Sequence, residues 1–437
     1  MMASWTGVII FAVAIVLAIV IGEKFKKNSG LIALAFAFII GCGFAGMRAK
    51  NVLNAFPIDT FYVIFIATFF YGFMSESGFV KGLSDRMIYA CRNKPALIAP
   101  MTLLVTFVLS AMGANEAAML IMAPLCFGLA IQMGYSPLLA IIAVQAGGSL
   151  GGYRPWAVVG AMQIGMFEGL FGSAAAGKAA QMGFTWTVLV LTLLLFFGTY
   201  IITKGHKVNK PVIAPPEPFT AQQKKALYVL CGVLFCVVIV PLLSTIFPCA
   251  FLTKLTGILD LRLVMTVGAI VAMFLKLGNE REVFSKRVPW SLIFMVCGMM
   301  TLISLATNVG TIEFVTGLVG EGLNPSLAVL LLFVVVCLLG AVTAGITVVS
   351  LLLALVVPLA AACGMPGYAL MACGLCGIHG MSISPYSGGG AMALSGCPDE
   401  MRSSVIKKQY LIMVIQAILL LALTLIGVPE FFASLYV

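Results

Sequence analysis

Hydrophobic runs of about 20 residues, the length at which a helix crosses the hydrocarbon core of a bilayer, recur along the whole chain. Helices satisfy their own backbone polar groups in lipid, so the pattern predicts an all-α polytopic membrane protein. The first run has no basic segment before it and no small-residue cleavage site, so we interpret it as a retained span and not a signal peptide. Ten runs are predicted to be single spans: residues 4–22, 30–47, 58–74, 137–161, 185–203, 226–247, 261–277, 290–307, 367–395 and 410–431.

Two further apolar runs, residues 95–134 and 325–364, are about twice the length of a span. Each has a polar middle that contains glycine, at residues 113–116 and 343–347. We interpret them as re-entrant hairpins that enter and leave the membrane on the same side. Two ordinary crossings in each run remain the alternative.

Short sequence matches indicate an internal duplication. The matched segments are Phe79–Leu83 with Phe314–Leu318, Pro124–Leu125 with Pro358–Leu359, and Ser149–Tyr153 with Ser382–Tyr386, at offsets of 235, 234 and 233 residues. Residues 1–203 and 226–437 would then form two repeats, joined by a proline-containing linker over residues 204–225. Each repeat has three spans, a short amphipathic connector, a hairpin, a glycine-interrupted helix over 137–161 or 367–395, and a last span. Five crossings per repeat is an odd number, so the second repeat is predicted to be inverted, an arrangement typical of secondary transporters.

Composition and charge agree with a membrane location. Hydrophobic residues make up 62% of the chain and charged residues only 9%, which excludes a water-soluble globular protein. The net charge of +10 is scattered between the spans and forms no patch, so we expect no nucleic-acid partner. With the N-terminus outside, nineteen Lys and Arg residues fall in cytoplasmic loops and five outside. This bias predicts a multi-pass inner-membrane protein with both termini outside.

The same segments resemble a known group of carriers. Phe56-Pro57, the tip 113–116 ahead of Ala123-Pro124, and residues 146–150 are similar to the MatC-type dicarboxylate (malonate) carriers, and residues 382–389 resemble their second signature. Both halves resemble the ion transporter superfamily that includes the divalent anion:sodium symporters. The resemblance implies a dimeric elevator carrier that holds substrate and sodium between two hairpin tips and two helix breaks. One departure is that residues 151–155 lack the Ser-Pro-aromatic-Ser ending of the group.

The chemistry of the breaks suits a small di- or tricarboxylate anion. Backbone N–H groups at helix N-termini and neutral hydroxyl groups are suitable donors to a carboxylate inside a membrane. The alternative is that these small residues only ease helix packing. The predicted substrate-binding residues are Asn115, Gly148, Ser149, Gly151, Gly152, Arg154, Thr347, Ser382, Ser384, Pro385, Ser387 and Gly388.

Arg154 is the only Lys or Arg well inside a predicted span, since Arg262 and Lys276 each lie one residue from an end of the span 261–277. Charges inside a bilayer are costly and usually functional, and a guanidinium can bind a carboxylate with two hydrogen bonds. We expect a contact with substrate, while snorkelling towards the interface and pairing with Glu116 remain open.

The first hairpin tip carries oxygen ligands suited to sodium as the coupling ion, and no other cofactor is expected. Glu116 can instead carry a proton, and capping of the tip by Asn115 and Glu116 is the structural alternative. His379, the only histidine in a predicted span, leaves a second route for proton coupling open. The possible sodium ligands are Asn115, Glu116, Gly148, Thr343, Thr347 and Ser384.

Other functional classes fit the sequence less well. Residues 147–151 match the GxSxG pattern of serine hydrolases, with His379 as a possible base, but the pattern lacks its strand-turn-helix context. Two histidines and no acidic cluster do not supply a usual metalloenzyme site. An anion channel could have the same predicted fold, but it would give ohmic current and not saturable uptake. We therefore expect a transporter and not an enzyme.

Overall fold

The computed structural model describes residues 5–210, 214–247, 249–309, 323–342, 345–385 and 387–437, and every regular element in these ranges is a helix. The helices up to residue 202 are α1 (Trp5–Phe25), α2 (Ser29–Phe38), α3 (Ala49–Asn54), α4 (Ile58–Glu76), α5 (Phe79–Ala90), α6 (Ile98–Leu109), α7 (Asn115–Met133), α8 (Pro137–Gly152), α9 (Val158–Phe171) and α10 (Ala174–Ile202). The later helices are α11 (Ala221–Leu234), α12 (Val240–Ile246), α13 (Ala250–Ile258), α14 (Leu261–Phe274), α15 (Glu280–Glu282), α16 (Trp290–Asn308), α17 (Pro325–Val342), α18 (Gly345–Cys363), α19 (Gly367–Gly380), α20 (Gly388–Leu394), α21 (Asp399–Leu425) and α22 (Val428–Ser434).

The prediction of an all-α polytopic fold is confirmed. In the described ranges, six helical segments are long and apolar enough to cross a membrane, or seven if α13 and α14, which meet at 66°, form one span. One of the six is Pro95–Met133, which contains α6 and α7 and is interrupted at Gly113. Several of the ten predicted spans are shorter or interrupted helices here, because hydropathy measures how apolar a run is and not where its helix ends.

The first predicted hairpin has both of its ends beside the C-terminal end of α10. The Tyr200 hydroxyl donates to Ala96 O at 2.7 Å, and Asn209 N donates to Met133 O at 3.0 Å. Between these ends, α6 and α7 contact one another and both pack against α8. The segment therefore turns back on itself, as the interpretation of residues 95–134 as a hairpin requires.

The second half repeats this order of elements. Helices α17 and α18 both pack against α19, and Leu323 N donates to Ala362 O at 3.3 Å where the two ends of the hairpin meet. Of the predicted tip at residues 343–347, residues 343 and 344 lie outside the described residues. After α19 come a non-helical turn, the short α20 and the long α21, in the same order as α8, its turn, α9 and α10.

The buried apolar side chains form two clusters. One joins the first hairpin and α8 to residues of α20 and α21, and the other joins α1, α2, α4, α14 and α16 to the second hairpin. Small residues allow close helix crossings, as is common in membranes. At the α2–α16 crossing, a side chain on Gly298 would collide with the backbone of Gly30.

The linker between the halves, predicted as a tether, packs against the connector α5. The Arg86 guanidinium lies 3.5 Å from the centroid of the Phe219 ring and donates to Glu217 O. At the start of α11, Gln223 Nε2 donates to Gly78 O at 3.1 Å. The end of the linker is therefore fixed to the element that leads into the first hairpin.

Candidate functional site

The first helix break follows from glycine and proline. Helix α8 ends at Gly152, and Pro155, which lacks an N–H and disfavours a helical residue before it, prevents direct continuation. Helix α9 begins at Val158 after an extended Ala157 whose side chain makes no cap. The break therefore leaves carbonyl groups at the end of α8 and N–H groups at the start of α9 without helical partners.

The second break also contains glycine and proline, and the helix that follows it begins with a side-chain cap. Helix α19 ends at Gly380, Pro385 lies in the turn, and α20 begins at Gly388. The Ser387 hydroxyl accepts from Gly390 N at 3.1 Å and lies 2.6 Å from Ser382 O. This predicted substrate ligand therefore caps α20 and closes the turn.

The two breaks lie side by side. Gln145 Nε2, on α8, donates to Ser382 Oγ at 2.7 Å and to Ser149 Oγ at 3.2 Å. The hydroxyl of Tyr153 lies 3.1 Å from His379 Nδ1, within hydrogen-bonding distance. The repeat-matched serines of the two halves thus meet on one amide side chain.

The first hairpin tip rests on the first break. Ser110 Oγ donates to Asn115 Oδ1 at 2.9 Å and lies 2.5 Å from Gly148 O. A side chain on Gly152 would come within 2.9 Å of Asn115 Oδ1. At the tip itself, Gly113 has a φ of 86° and packs on the ring of Tyr71, so only glycine fits there. Asn115, Gly148 and Gly152, predicted as site residues, are therefore in one place.

The glycines of the two breaks have different surroundings. A side chain on Gly148 would collide with Met119, and one on Gly151 would collide with the backbone of Phe107 and Ala111. These glycines therefore serve packing of the hairpin on α8 in this conformation, which favours the packing alternative there. Gly388 is exposed, and a methyl group added to it would meet no heavy atom of the described residues within 4 Å.

A cavity of about 290 Å³ opens beside the first tip. It lies between the tip, the start of α9, α4 and the segment before α16, and its lining includes Asn115, Glu116, Val158, Lys286 and Arg287. Glu116 is exposed to this space and not buried in the tip. The tip carboxylate thus faces an open cavity, and the start of α9 borders the same space.

The two cations of the cavity already have carboxylate partners. Lys286 Nζ lies 2.8 Å from Glu282 Oε1, and this hydrogen bond and charge hold the pKa of Glu282 below its usual range. Arg287 Nη2 lies 2.6 Å from Glu76 Oε1. Glu116 has no ion pair among the described residues. The lining therefore keeps one uncompensated carboxylate, which favours a cation in the cavity.

Arg154 points away from this cavity. Its Nε donates to Leu150 O at 3.0 Å, and its guanidinium carbon lies 5.8 and 5.9 Å from the ring centroids of Phe107 and Trp186. No ion pair with Glu116 is formed in the described part of the chain, so that alternative is wrong for this conformation. Its Nη2 is buried without a hydrogen-bond partner, which leaves a donor for an anion. Contact between Arg154 and substrate stays a prediction.

Comparison with known families decides the class of the protein. Residues 2–376, most of the chain, match the family described as "CitMHS: Citrate transporter". The chain belongs to the citrate transporter family. The crystal structure of the Alcanivorax borkumensis YdaH transporter is similar to this family member, with a TM-score of 0.56 and 16% sequence identity over 88% of this chain and 87% of the other. That likeness shows the fold alone. No curated protein matches the sequence.

Because it belongs to the citrate transporter family, the protein is a multi-pass secondary transporter of carboxylate anions and not an enzyme. The predicted superfamily is confirmed, whereas the narrower resemblance to MatC-type malonate carriers is not, since the matching family is that of citrate transporters. The match ends before Ser382 and does not cover the second signature, so that resemblance stays a prediction. Ser149 lies inside α8 and not on a strand-to-helix turn, so the GxSxG match forms no hydrolase elbow.

The remaining predicted site residues of this family member lie at or near the second break or outside the described residues. Ser384 is buried and its carbonyl lies 2.8 Å from Ser387 Oγ, while Pro385 is half-buried. Thr343 lies outside the described residues, as does the side chain of Thr347. Their roles as substrate or sodium ligands stay predictions.

Sequence reasoning missed the buried glutamines around the breaks. Gln145 joins the two breaks, and Gln181 and Gln416 donate to break carbonyls. A signal was present, because Gln181 and Gln416 are 235 residues apart, the spacing of the repeat. Gln145 and His379 are 234 apart. A search for matched polar residues inside apolar runs would have found both pairs.

Proposed function

We propose that this protein carries a small tri- or dicarboxylate, of which citrate is the leading candidate, across the inner membrane together with sodium or protons. The observation that carries the proposal is the meeting of the first hairpin tip and both helix breaks around Asn115, Ser149 and Ser382. The family match supports the carboxylate, and the interrupted helices support a binding site between the repeats.

The cavity and the open glycine support a small anionic substrate. A volume of about 290 Å³ is at the lower end of small-ligand sites, which span roughly 300–1,000 Å³. Uncapped N–H groups at the start of α9 border this cavity, and such groups favour an anion. At the second break, the open face of Gly388 lets a carboxylate approach the backbone closely.

The unpaired carboxylate of Glu116 supports coupling to a cation. Beside an anionic substrate, this side chain adds repulsion unless a bound cation or a proton compensates it. Asn115 and Glu116 offer hard oxygen ligands, which suit sodium, and protonation of Glu116 would serve the same electrostatic purpose. We favour sodium because the amide oxygen of Asn115 adds a second oxygen ligand beside Glu116.

Alternating access is proposed to occur by an elevator movement in a homodimer, as the resemblance of the sequence implies. The first hairpin, α8 and parts of α20 and α21 share one buried cluster, which suits movement as a unit. The cavity opens towards Lys286 and Arg287, which the charge pattern assigns to the cytoplasm. The structure is therefore interpreted as inward-open, with both termini outside.

Uptake into proteoliposomes tests the proposed function. We expect saturable accumulation of one or more C3 to C6 carboxylates, citrate foremost, driven by an imposed sodium or proton gradient applied separately. Protein-free liposomes and liposomes without a gradient are the controls. Ohmic, non-saturating anion current would instead indicate a channel, and no uptake of any carboxylate under either gradient would contradict the proposal.

A further inference from the structure

A glutamine from the long helix after each break donates to backbone carbonyls at that break. In the first half, Gln181 Nε2 on α10 lies 3.1 Å from Tyr153 O. In the second, Gln416 Nε2 on α21 lies 2.7 Å from His379 O and 3.3 Å from Gly380 O. Both glutamines are buried, where no water replaces a missing donor. Their spacing of 235 residues makes them equivalent in the two halves.

A second matched pair crosses between the halves. Gln145 and His379 are 234 residues apart, and both are buried. Gln145 of the first half reaches Ser382 in the second break at 2.7 Å, and His379 of the second half reaches the hydroxyl of Tyr153 in the first break at 3.1 Å. Each half thus sends one side chain into the break of the other.

The four side chains belong to one network. Ser382 Oγ accepts from Gln145 Nε2 and also from Gln416 Nε2 at 3.1 Å. Gln416 holds the carbonyl of His379, whose ring meets Tyr153, and Gln181 holds the carbonyl of Tyr153. The hydrogen bonds therefore run from α10 through both breaks to α21 without interruption.

Packing alone does not explain this network. Among the described residues, the Oε1 atoms of Gln145 and Gln181 are buried without a hydrogen-bond partner, as are those of Gln163 and Gln409. An unpaired buried amide oxygen is costly compared with an apolar side chain of the same size, and such groups call for an explanation in function. The network therefore keeps polar groups where a leucine or methionine would pack at lower cost.

We propose that Gln145, His379, Gln181 and Gln416 are positioning residues that hold the two helix breaks in one fixed relation. The inference rests on the proposed function, since it assigns the network to a carboxylate site shared by both breaks. A substrate that binds Ser382 acts through Gln145 on Ser149, so the two half-sites form together. Carboxylates that reach only one break would be bound weakly, which makes the network a determinant of substrate selection.

Hydrogen exchange of the purified full-length protein tests the coupling without any transport. In Gln145→Met, a change in the first half, we expect backbone amides of residues 381–390 in the second half to exchange roughly five- to tenfold faster, the factor for losing one buried hydrogen bond. In Ser382→Ala, residues 149–157 should respond in the same way. Gln163→Met on α9 is the matched control, because Gln163 is a buried glutamine without a hydrogen bond to either break.

Uptake by the same variants supplies a second readout. Gln145→Met and Ser382→Ala should each raise the half-saturating carboxylate concentration about fivefold, with a smaller effect on maximal rate. The half-saturating concentration of the double variant should not exceed that of the more strongly affected single variant. The inference would be overturned if hydrogen exchange changed only in the mutated half. It would also be overturned if the effects of the two substitutions on the half-saturating concentration were additive. If the native protein takes up no carboxylate, the proposed function fails while the exchange data still decide whether the breaks are coupled.

Discussion

At the scale of single residues, glycine has different roles in the two breaks. Gly148 and Gly151 give the hairpin room to pack on α8, since Met119 and hairpin backbone occupy the space of a side chain. A side chain added at Gly388 would meet no heavy atom of the described residues within 4 Å. Gly388 is therefore not needed for packing among these residues, and in the proposed function it gives a ligand close access to the backbone.

Gly388→Ala is expected to leave the fold intact and to weaken carboxylate uptake. The added methyl group meets no atom of the described residues, and alanine favours a helix over glycine, so the melting temperature should stay the same or rise slightly. The half-saturating carboxylate concentration should rise about tenfold, the factor that corresponds to about 1.4 kcal/mol. Gly198→Ala on α10 is the control, because that glycine is equally free of neighbours but far along the chain from either break. An unchanged half-saturation in Gly388→Ala would remove this residue from the site.

Glu116 is the residue on which coupling is predicted to depend. If sodium is the partner, Glu116→Gln should raise the sodium concentration for half-maximal uptake by roughly tenfold or more, since a charged contact contributes about 1.5–3 kcal/mol, and leave the pH profile mostly intact. If a proton is the partner, the same variant should lose its response to the pH gradient and keep substrate exchange. Glu280→Gln, at an exposed helix start, is the control. Normal uptake by Glu116→Gln under both gradients would make Glu116 a cap only.

At the scale of elements, the hairpins are where sequence and structure agree best. A polar, glycine-containing middle in a double-length apolar run predicted a turn at residues 113–116, and the helix is interrupted at Gly113. Both ends of the run lie beside the end of α10 because Ala96 and Met133 bond to residues of that region. Whether each hairpin re-enters the membrane stays a prediction.

Cysteine labelling tests the sidedness of the two hairpins. The twelve native cysteines form no disulfide in the described residues and must be replaced first. In that background, a cysteine at Ala117, which lines the cavity, should react with an impermeant reagent from the cytoplasm, and a cysteine at Gly345 from outside. A cysteine at Ala96, at the base of the first hairpin, serves as the cytoplasmic control. Labelling of Ala117 from outside or Gly345 from the cytoplasm would rule out the inverted arrangement.

At the scale of the whole molecule, the two halves are held together at the breaks. The first hairpin and α8 share a buried cluster with residues of α20 and α21, and hydrogen bonds from Gln145 and His379 cross between the halves. In the proposed elevator movement, a unit that contains both breaks carries the bound substrate. The cavity beside Lys286 and Arg287 would then be the open end of the proposed path.

The sequence by itself determined the membrane class, the helical fold, the turn of the first hairpin and the positions of the breaks. These features depend on local chemistry: the apolar length of a run, the freedom of glycine and the missing N–H of proline at Pro155 and Pro385. The repeat offset also placed Ser149 and Ser382 in equivalent positions. Each of these inferences needs only residues that are neighbours along the chain or a comparison of two segments.

Only the tertiary structure decided which side chains meet. Arg154 turns towards Phe107 and Trp186 and Glu116 faces the open cavity, although nothing in their sequence neighbourhood separates them. The contact of Gln145 with Ser382 joins residues 237 positions apart. Such contacts depend on how helices cross and rotate against one another, and hydropathy and spacing along one chain carry no information about that geometry.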